Sequence, residues 1–529
     1  MAGFAGYALL APPGPYWLDS GELAAAGFQL GSPPPTGHPL IVALARLASL
    51  LPVGEIAFRI HLLSAACAAL AMLWTARLVA GSGRAPAENA AAAAGMAAAL
   101  LLAVTLVFAR HASVTSVYAP TAALVAASFL LFDRVARGGD ARCGLLLAFV
   151  VGLGLGAHVS HPLLVVLPLG ALLWVRLRRG ARWPLIAPLV TLSVAVALQL
   201  SLPVRSAGGR TATVDRGHPR DLEALAAHVT APALRQVLSE EPPEPAVIAD
   251  RAGRFAATTS DQLGVLGLCA ALAGAVSLLI ERRGRWFLLL LVTAAAGDAL
   301  LAVWVDTGDG QRGAPFAIAA ASLAGLGLAW LGRFAGPRAG VAAAAAAGVI
   351  LIAGPAMVTW PAVSPAAAGD APRRFAEAAL DETPPRGLLL TRSESLSGLL
   401  LYLSTVEGAR PDVAPLERAR LDDQERSRAI AGAALDSASL AGPRPIAWEL
   451  GGERPPPAIE MRSVVGLLGR SPGESDISRA AGRVAAIFSG PGGGDPIAQG
   501  TAARVLADLR RLARARRDHQ IFTRWSGAR

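Results

Sequence analysis

The sequence predicts a polytopic α-helical membrane protein that ends in a soluble α/β domain, and three observations predict it. The 529 residues are 53% hydrophobic and only 16% charged, with a mean hydropathy of +0.48, whereas soluble domains carry roughly 25% charged residues. Apolar stretches recur that approach the ~20 residues a helix needs to cross the hydrocarbon core. After Trp360 the pattern changes to short apolar runs separated by Gly, Pro and charged residues.

The apolar stretches are 57–79, 90–108, 117–132, 145–157, 162–175, 184–202, 263–280, 286–305, 314–331 and 340–358. Residues 1–11 are also apolar but too short to cross, so about ten or eleven transmembrane helices are expected. A transmembrane domain over 1–360 is then followed by a soluble α/β domain over 361–529. Within the second, 387–391 reads as a buried strand, 396–403 as a helix, and 412–414 and 445–448 as further strands. Gly and Pro mark 451–457 and 489–496 as loops. Residues 501–517 read as a basic amphipathic helix with Val505, Leu506, Leu509 and Leu512 on one face, which either caps its own domain or touches anionic headgroups.

The net charge is +10, and no lysine is present, so all 48 basic residues are arginines. They concentrate in short loops between apolar stretches, which is a topology signal and argues against nucleic acid as a partner. Arg134, Arg137 and Arg142 share one loop; Arg176, Arg178, Arg179 and Arg182 a second; Arg282, Arg283 and Arg285 a third; Arg333 and Arg338 a fourth. Counting through the spans puts all four on one side, expected to be cytoplasmic. The opposite side receives Asp19, Glu22, His38, Arg110, His111, His158, His161, residues 205–262 and 306–312, and the soluble domain. The expectation is an integral inner- or plasma-membrane protein with an extracytoplasmic active site. Cys67, Cys143 and Cys269 show no disulfide or metal-ligand spacing, and no signal peptide with a basic start and a small-residue cleavage site is seen.

The chemistry-bearing candidates begin with Asp19 and Glu22, which at i and i+3 share one face of a helix starting near Ser20. The same spacing also suits a helix cap, in which Asp19 accepts a backbone N–H and Glu22 reaches back. The Gly152, Gly154 and Gly156 series lies inside an apolar span without a flanking strand, so it reads as close helix packing rather than a phosphate loop. Asp298 is a carboxylate within a span, either functional or paired with an Arg or His of a neighbouring helix.

The run from Trp17 through Gly21-Glu22, followed by the Pro33–Pro39 turn, resembles the "WDSGEF…LG.PHPPG.PL" opening of the protein O-mannosyltransferase-like membrane family, domain-of-unknown-function family 2723. Ala57–Ala65 is similar to its "AFRLNLLSA", Gly152–His158 to "GLSLGNH", Leu202–Ser206 to "LPLRS", Leu225–Thr230 to "FLRHVT", and Tyr402–Val413 to "YL..VEG.RPDV". The chain departs from the family at Ser116, where a Glu is usual, at His38, displaced within its turn, and at Arg216–Pro219, where Trp and Asp are missing.

The resemblance implies a GT-C glycosyltransferase that takes a sugar, mannose first, from a polyprenyl-phosphate donor. The acceptor would be a hydroxyl of a protein Ser/Thr, a lipid or a glycan, and the partners membrane lipids; no nucleotide or metal cofactor is implied. It makes Asp19 the general base and Glu22 its assistant. Arg205 would stabilise the departing phosphate, together with His158, Arg59 and His38 as substrate-binding residues. Two other classes compete: a transporter or flippase of a lipid-linked sugar, for which midplane charges and internal repeats are wanting, and a catalytically silent scaffold.

Overall fold

A computed structural model describes residues 1–158, 160–207, 214–215, 217, 219–230, 243–281, 284–304, 313–391, 393–417, 446–448, 461–463 and 474–510. The chain divides into two compact units. The first, a membrane unit, comprises Met1–Ala11, Gln29–Leu51 and Arg59–Val363; the second comprises Pro12–Phe28, Pro52–Phe58 and Ser364–Arg529. A contiguous division at residue 360 is therefore replaced by one near 363 in which two N-terminal segments join the later unit. The composition change at Trp360 falls inside a helix that runs on to Ala367.

The early helices are α1 (Ala2–Leu10), α2 (Ser20–Gln29), α3 (Pro39–Ser49), α4 (Ile56–Ala80), α5 (Glu88–Ala103), α6 (Leu106–Ser113), α7 (Tyr118–Ala136), α8 (Ala141–Ala157), α9 (Ser160–Arg178), α10 (Trp183–Gln199), α11 (Ser201–Ala207) and α12 (Leu222–Thr230). Seven helices among the described residues are long and apolar enough to cross a membrane. An eighth arises if α5 and α6, which meet at a 74° bend, form one broken span. This is fewer than the ten or eleven expected. The expected fourth and fifth stretches fall on α8, which has 17 residues, and on α9, which contains Pro168. At nine residues, α1 is about 13 Å long and too short to cross.

The last two spans of the hydropathy pattern are consecutive helices, Ala314–Gly336 and Ala339–Ala367, separated by a break at Gly336. Gly336 has φ 76°, a left-handed conformation that costs glycine nothing and lets the chain reverse without a longer loop. Gly152 and Gly156 lie on the face of α8 toward α10, where a Cβ on Gly152 would stand 2.8 Å from the Thr191 carbonyl. The glycine series is thus helix packing, as its setting implied.

The arginine-bearing loops come together at one end of the membrane unit. Arg137 donates to the Ser82 carbonyl, Arg333 to the Gly83 carbonyl at 2.8 Å, and Arg176 to the Val135 carbonyl. Arg84 pairs with Glu281, close to Arg285, which donates to the Leu279 carbonyl. Each guanidinium tethers a neighbouring helix end, so these side chains do structural work besides marking topology. Arg282, Arg283 and residues 306–312 lie outside the described residues.

In the second unit, β1 (Leu388–Thr391), β2 (Ala414–Glu417), β3 (Ile446–Trp448) and β4 (Met461–Ser463) form a parallel sheet in the order β2-β1-β3-β4. Helix Glu394–Val406 crosses between β1 and β2, capped by Ser393, whose hydroxyl accepts the Leu396 N–H. Strand-period and helix-period patterns thus alternate here as βαβ. Residues 490–495 form turns and 496–510 a helix that buries Val505 and Leu509. The expected loop at 451–457 and helix residues 511–517 lie outside the described residues.

Candidate functional site

Asp19 and Glu22 belong to the second unit, and the segment that carries them is fixed by packing. Trp17 is 1% exposed, stacked on Phe488 at 6.0 Å between centroids and tilted against Phe375 at 5.9 Å. Burying one such ring contributes about 1.5–3 kcal/mol. Tyr16 donates its hydroxyl to Asp495 at 2.6 Å, and the Leu18 N–H donates to Ser395 Oγ at 2.8 Å. Leu18 itself is left-handed, with φ 60°, a conformation that costs a non-glycine residue roughly 1–2 kcal/mol and persists only where surroundings impose it.

Helix α2 starts directly after this clamp. The Leu23 N–H donates to the Asp19 carbonyl at 2.9 Å, so Asp19 sits at the N-cap and Glu22 three residues on, the register of a capping box. Glu22 is buried, whereas Asp19 is half-buried and keeps access to solvent. Of the pair, Asp19 is the carboxylate an incoming hydroxyl can reach. Gly21 between them crosses Gly398 of helix Glu394–Val406: a Cβ on Gly21 would stand 2.6 Å from the Gly398 carbonyl oxygen. Trp17 Nε1 and Ser20 Oγ, flanking Asp19, are buried without a hydrogen-bond partner among the described residues.

The later family-like run Val406–Val413 has a structural explanation in the same unit. Arg373 binds Glu407 through both ends of its guanidinium at 2.7 Å and Glu55 at 2.6 Å, which holds its pKa above the ordinary value. Arg410 forks onto Asp412 at 2.8 and 2.9 Å, and Asp412 also accepts the Arg386 N–H; these contacts hold its carboxyl well below the usual range. Arg410 further donates to the Leu380 carbonyl at the end of helix Ala371–Glu382. The Glu and Arg-Pro-Asp of this run staple the α/β unit.

His38, His158 and Arg205 belong to the membrane unit and gather at one end of α3. His38 is left-handed (φ 44°) at the N-cap of α3. Its Nδ1 lies 2.6 Å from the Ala157 carbonyl, which can only accept, so Nδ1 carries the proton. Burial pushes the imidazole below its ordinary 6.5, opposed by that hydrogen bond and reinforced by His228. The ring stacks on His158 at 5.7 Å, and His158 in turn meets Tyr118 at 5.6 Å. Arg205 donates to Ser201 Oγ at 2.9 Å and reaches the Pro39 carbonyl in the first turn of α3.

Arg59 is not with them. It donates to the Ser49 carbonyl at the far end of α3, about 15 Å along an eleven-residue helix. The expected substrate-binding set thus splits into a cluster of three and a helix-end tether. Asp298 accepts the Phe316 N–H at 2.9 Å, at the start of the long helix after Ala314. A helix N-terminus is thus one partner that makes an intramembrane carboxylate tolerable. It also lines a cavity of about 20 Å³ with Tyr118, Thr121 and His158, room for about one water. The side chain of His161, and residues 216 and 218, lie outside the described residues.

His228 was legible only as part of a family-like run, yet it is 3% exposed and lies beside the same turn. His61, fully buried in α4, accepts the Thr115 N–H at 2.8 Å and so positions the segment that leads into Tyr118.

Residues 19–183 match the family model described as the protein O-mannosyl-transferase TMEM260 N-terminal domain. No curated protein matches the chain. Among solved structures, ArnT from Cupriavidus metallidurans bound to undecaprenyl phosphate is similar at 12% identity and TM-score 0.53, over 79% of this chain and 89% of that one. An Archaeoglobus fulgidus oligosaccharyltransferase tethered to an acceptor peptide aligns at 14% identity and TM-score 0.49, over 78% of this chain and 63% of that one. The ArnT likeness shows the GT-C fold. The family match begins at Asp19 and covers the first part of that fold.

Proposed function

We propose that the chain transfers a sugar, mannose as first choice, from a polyprenyl-phosphate donor to an acceptor hydroxyl on the extracytoplasmic face. The observation that carries the reading is Asp19: a half-exposed carboxylate, held at a helix start by Trp17, Leu18 and Gly21, where the O-mannosyltransferase family match begins. The ArnT neighbour, solved with undecaprenyl phosphate, supports a lipid phosphate as the donor class. The shared end of the arginine loops supports a cytoplasmic assignment for that end.

In this scheme the acceptor oxygen attacks the anomeric carbon while its proton passes to Asp19, a general-base step. The bond from the anomeric carbon to the phosphate oxygen breaks, and its electron pair leaves with the polyprenyl phosphate. The charge that grows on that phosphate is met by Arg205, whose planar guanidinium suits phosphate oxygens. The acceptor is a protein Ser/Thr, a lipid or a glycan, in that order of preference.

The test is Asp19→Asn in the purified full-length protein, with polyprenyl-phosphate mannose and a panel of hydroxyl acceptors. Asn caps a helix about as well as Asp but accepts no proton, so transfer is expected to fall roughly 100-fold or more with an unchanged melting temperature. An active Asp19→Asn enzyme would sink the base assignment.

A further inference from the structure

Two donors around the turn that enters α3 end without an acceptor among the described residues. Arg205 Nη2 is engaged by Ser201 and Pro39, but Nη1 is buried and unpartnered. His228, on α12, has neither ring nitrogen in a hydrogen bond although the residue is 3% exposed. A Cβ on Gly37 would lie 2.9 Å from His228 Nε2, and one on Gly217 would lie 2.7 Å from Nδ1. Both nitrogens therefore face backbone that carries no side chain. Buried donors are rarely left unmade in folded proteins, and each such exception calls for a reason.

The Arg205 guanidinium, through Nη2 on the Pro39 carbonyl, and the His228 ring, beside Gly37, both lie against the same turn, and Arg205 lies at the end of the apolar stretch Trp183–Ser206, where a span meets the headgroup layer. One anion with several oxygens can satisfy a guanidinium N–H and an imidazole N–H together, which a single carbonyl cannot. We propose that His228 and Arg205 together bind the phosphate of a membrane-lipid donor, with His228 protonated when the phosphate is in place. This rests on the polyprenyl-phosphate reading above and adds a residue and a proton to it.

The groups that face His228 set the direction of the coupling. His38 on the turn opposes its charge, and Asp215 favours it; Asp215 itself accepts from Ser206 and lies 4.0 Å from Arg220. With burial dominant, the imidazole lies below its ordinary 6.5 in the ligand-free fold. A bound phosphate raises it, so binding takes up a proton and tightens as pH falls through the histidine range.

Binding to the full-length protein in nanodiscs would be measured from pH 8 to pH 6 with undecaprenyl phosphate, undecaprenol and inorganic phosphate. Because a phosphate monoester also titrates near pH 6, the readout is the difference between wild type and His228→Gln, which keeps a donor but cannot charge. Undecaprenyl phosphate should bind at least 10-fold tighter than undecaprenol. His228→Gln should lose most of the low-pH gain, with a melting temperature near wild type. Arg205→Gln should weaken binding at every pH yet keep the slope, a second variant that stands if the first fails to fold. A wild-type slope in both variants overturns the proposal while leaving the donor reading intact. Binding of inorganic phosphate but not of the lipid keeps the pocket and overturns the donor reading.

Discussion

Leu18 and His38 stand ahead of two successive helices, twenty residues apart, and both are non-glycine residues in the left-handed region. Each is locked by one short hydrogen bond, but the locks differ in kind. At Leu18 the bond is made by the backbone N–H to Ser395 Oγ, supplied from far along the chain. At His38 it is made by the side chain, Nδ1 to the Ala157 carbonyl. The first site can change its side chain and keep its geometry; the second cannot. The difference also separates the two halves of the proposed chemistry, since the carboxylate segment belongs to one compact unit and the histidine turn to the other.

The largest structural effect is expected where the carboxylate helix crosses its support. Gly21→Ala puts a Cβ 2.6 Å from a backbone oxygen that no side-chain rotation can move. A loss of about 1–3 kcal/mol follows, the range for overpacking, with transfer reduced because α2 must shift. Gly398→Ala meets the Glu22 N–H at 3.1 Å, a milder approach, and should cost less. Equal melting temperatures for the two would show that Gly21 and Gly398 are not in the contact described.

Next comes His38→Asn. Asn tolerates the left-handed conformation better than His, so backbone strain falls. The hydrogen bond to Ala157 and the ring contact with His158 are lost, however, and the buried carbonyl loses its donor, which costs about 1–3 kcal/mol. The variant should therefore melt lower than wild type. It should also flatten the pH dependence of stability. His38 and His228 both lie below their ordinary 6.5 when folded, so the unfolded chain binds more protons as pH falls. Their contribution is whole above that pH and is lost as pH drops toward the lowered folded values. Wild type should melt lower at pH 6 than at pH 8, and the gap should narrow in His38→Asn. A gap that does not narrow would remove His38 from the coupling.

Much of this arrangement was legible in the sequence, and what was not shares a cause. Apolar spans show as runs because burial in lipid needs only local composition, and the arginine loops show because topology is read loop by loop. Asp19, Glu22, His38, His158 and Arg205 stand out as candidates from local spacing and family-like runs. That residues 12–28 and 52–58 fold with residues beyond 363 was not legible, because contacts such as Tyr16 with Asp495 depend on shape matching across hundreds of residues. That Arg59 reaches the far end of α3 was not legible, because its place in a family-like run says nothing of which end of that helix it meets. His228 left a fainter trace: a histidine on a short helix soon after Arg205, in a run read only for its likeness.

The smallest expected effect decides the comparison most cleanly. Leu18→Asn is the same substitution as His38→Asn, made at the other left-handed helix entry. It relieves a strain of roughly 1–2 kcal/mol and leaves the Leu18 N–H free to donate to Ser395 as before. Leu18 is only half-buried, so the apolar contact given up is worth less than that of a core leucine, and the two changes nearly cancel. Stability should move by about 1 kcal/mol or less in either direction, with transfer activity retained. Ser395→Ala then supplies the control, since it removes the acceptor and should cost about 1 kcal/mol, a loss that Ser395→Thr recovers. If Leu18→Asn destabilises as much as His38→Asn, the leucine side chain holds the turn. The backbone lock at the start of the carboxylate helix would then be an incidental contact.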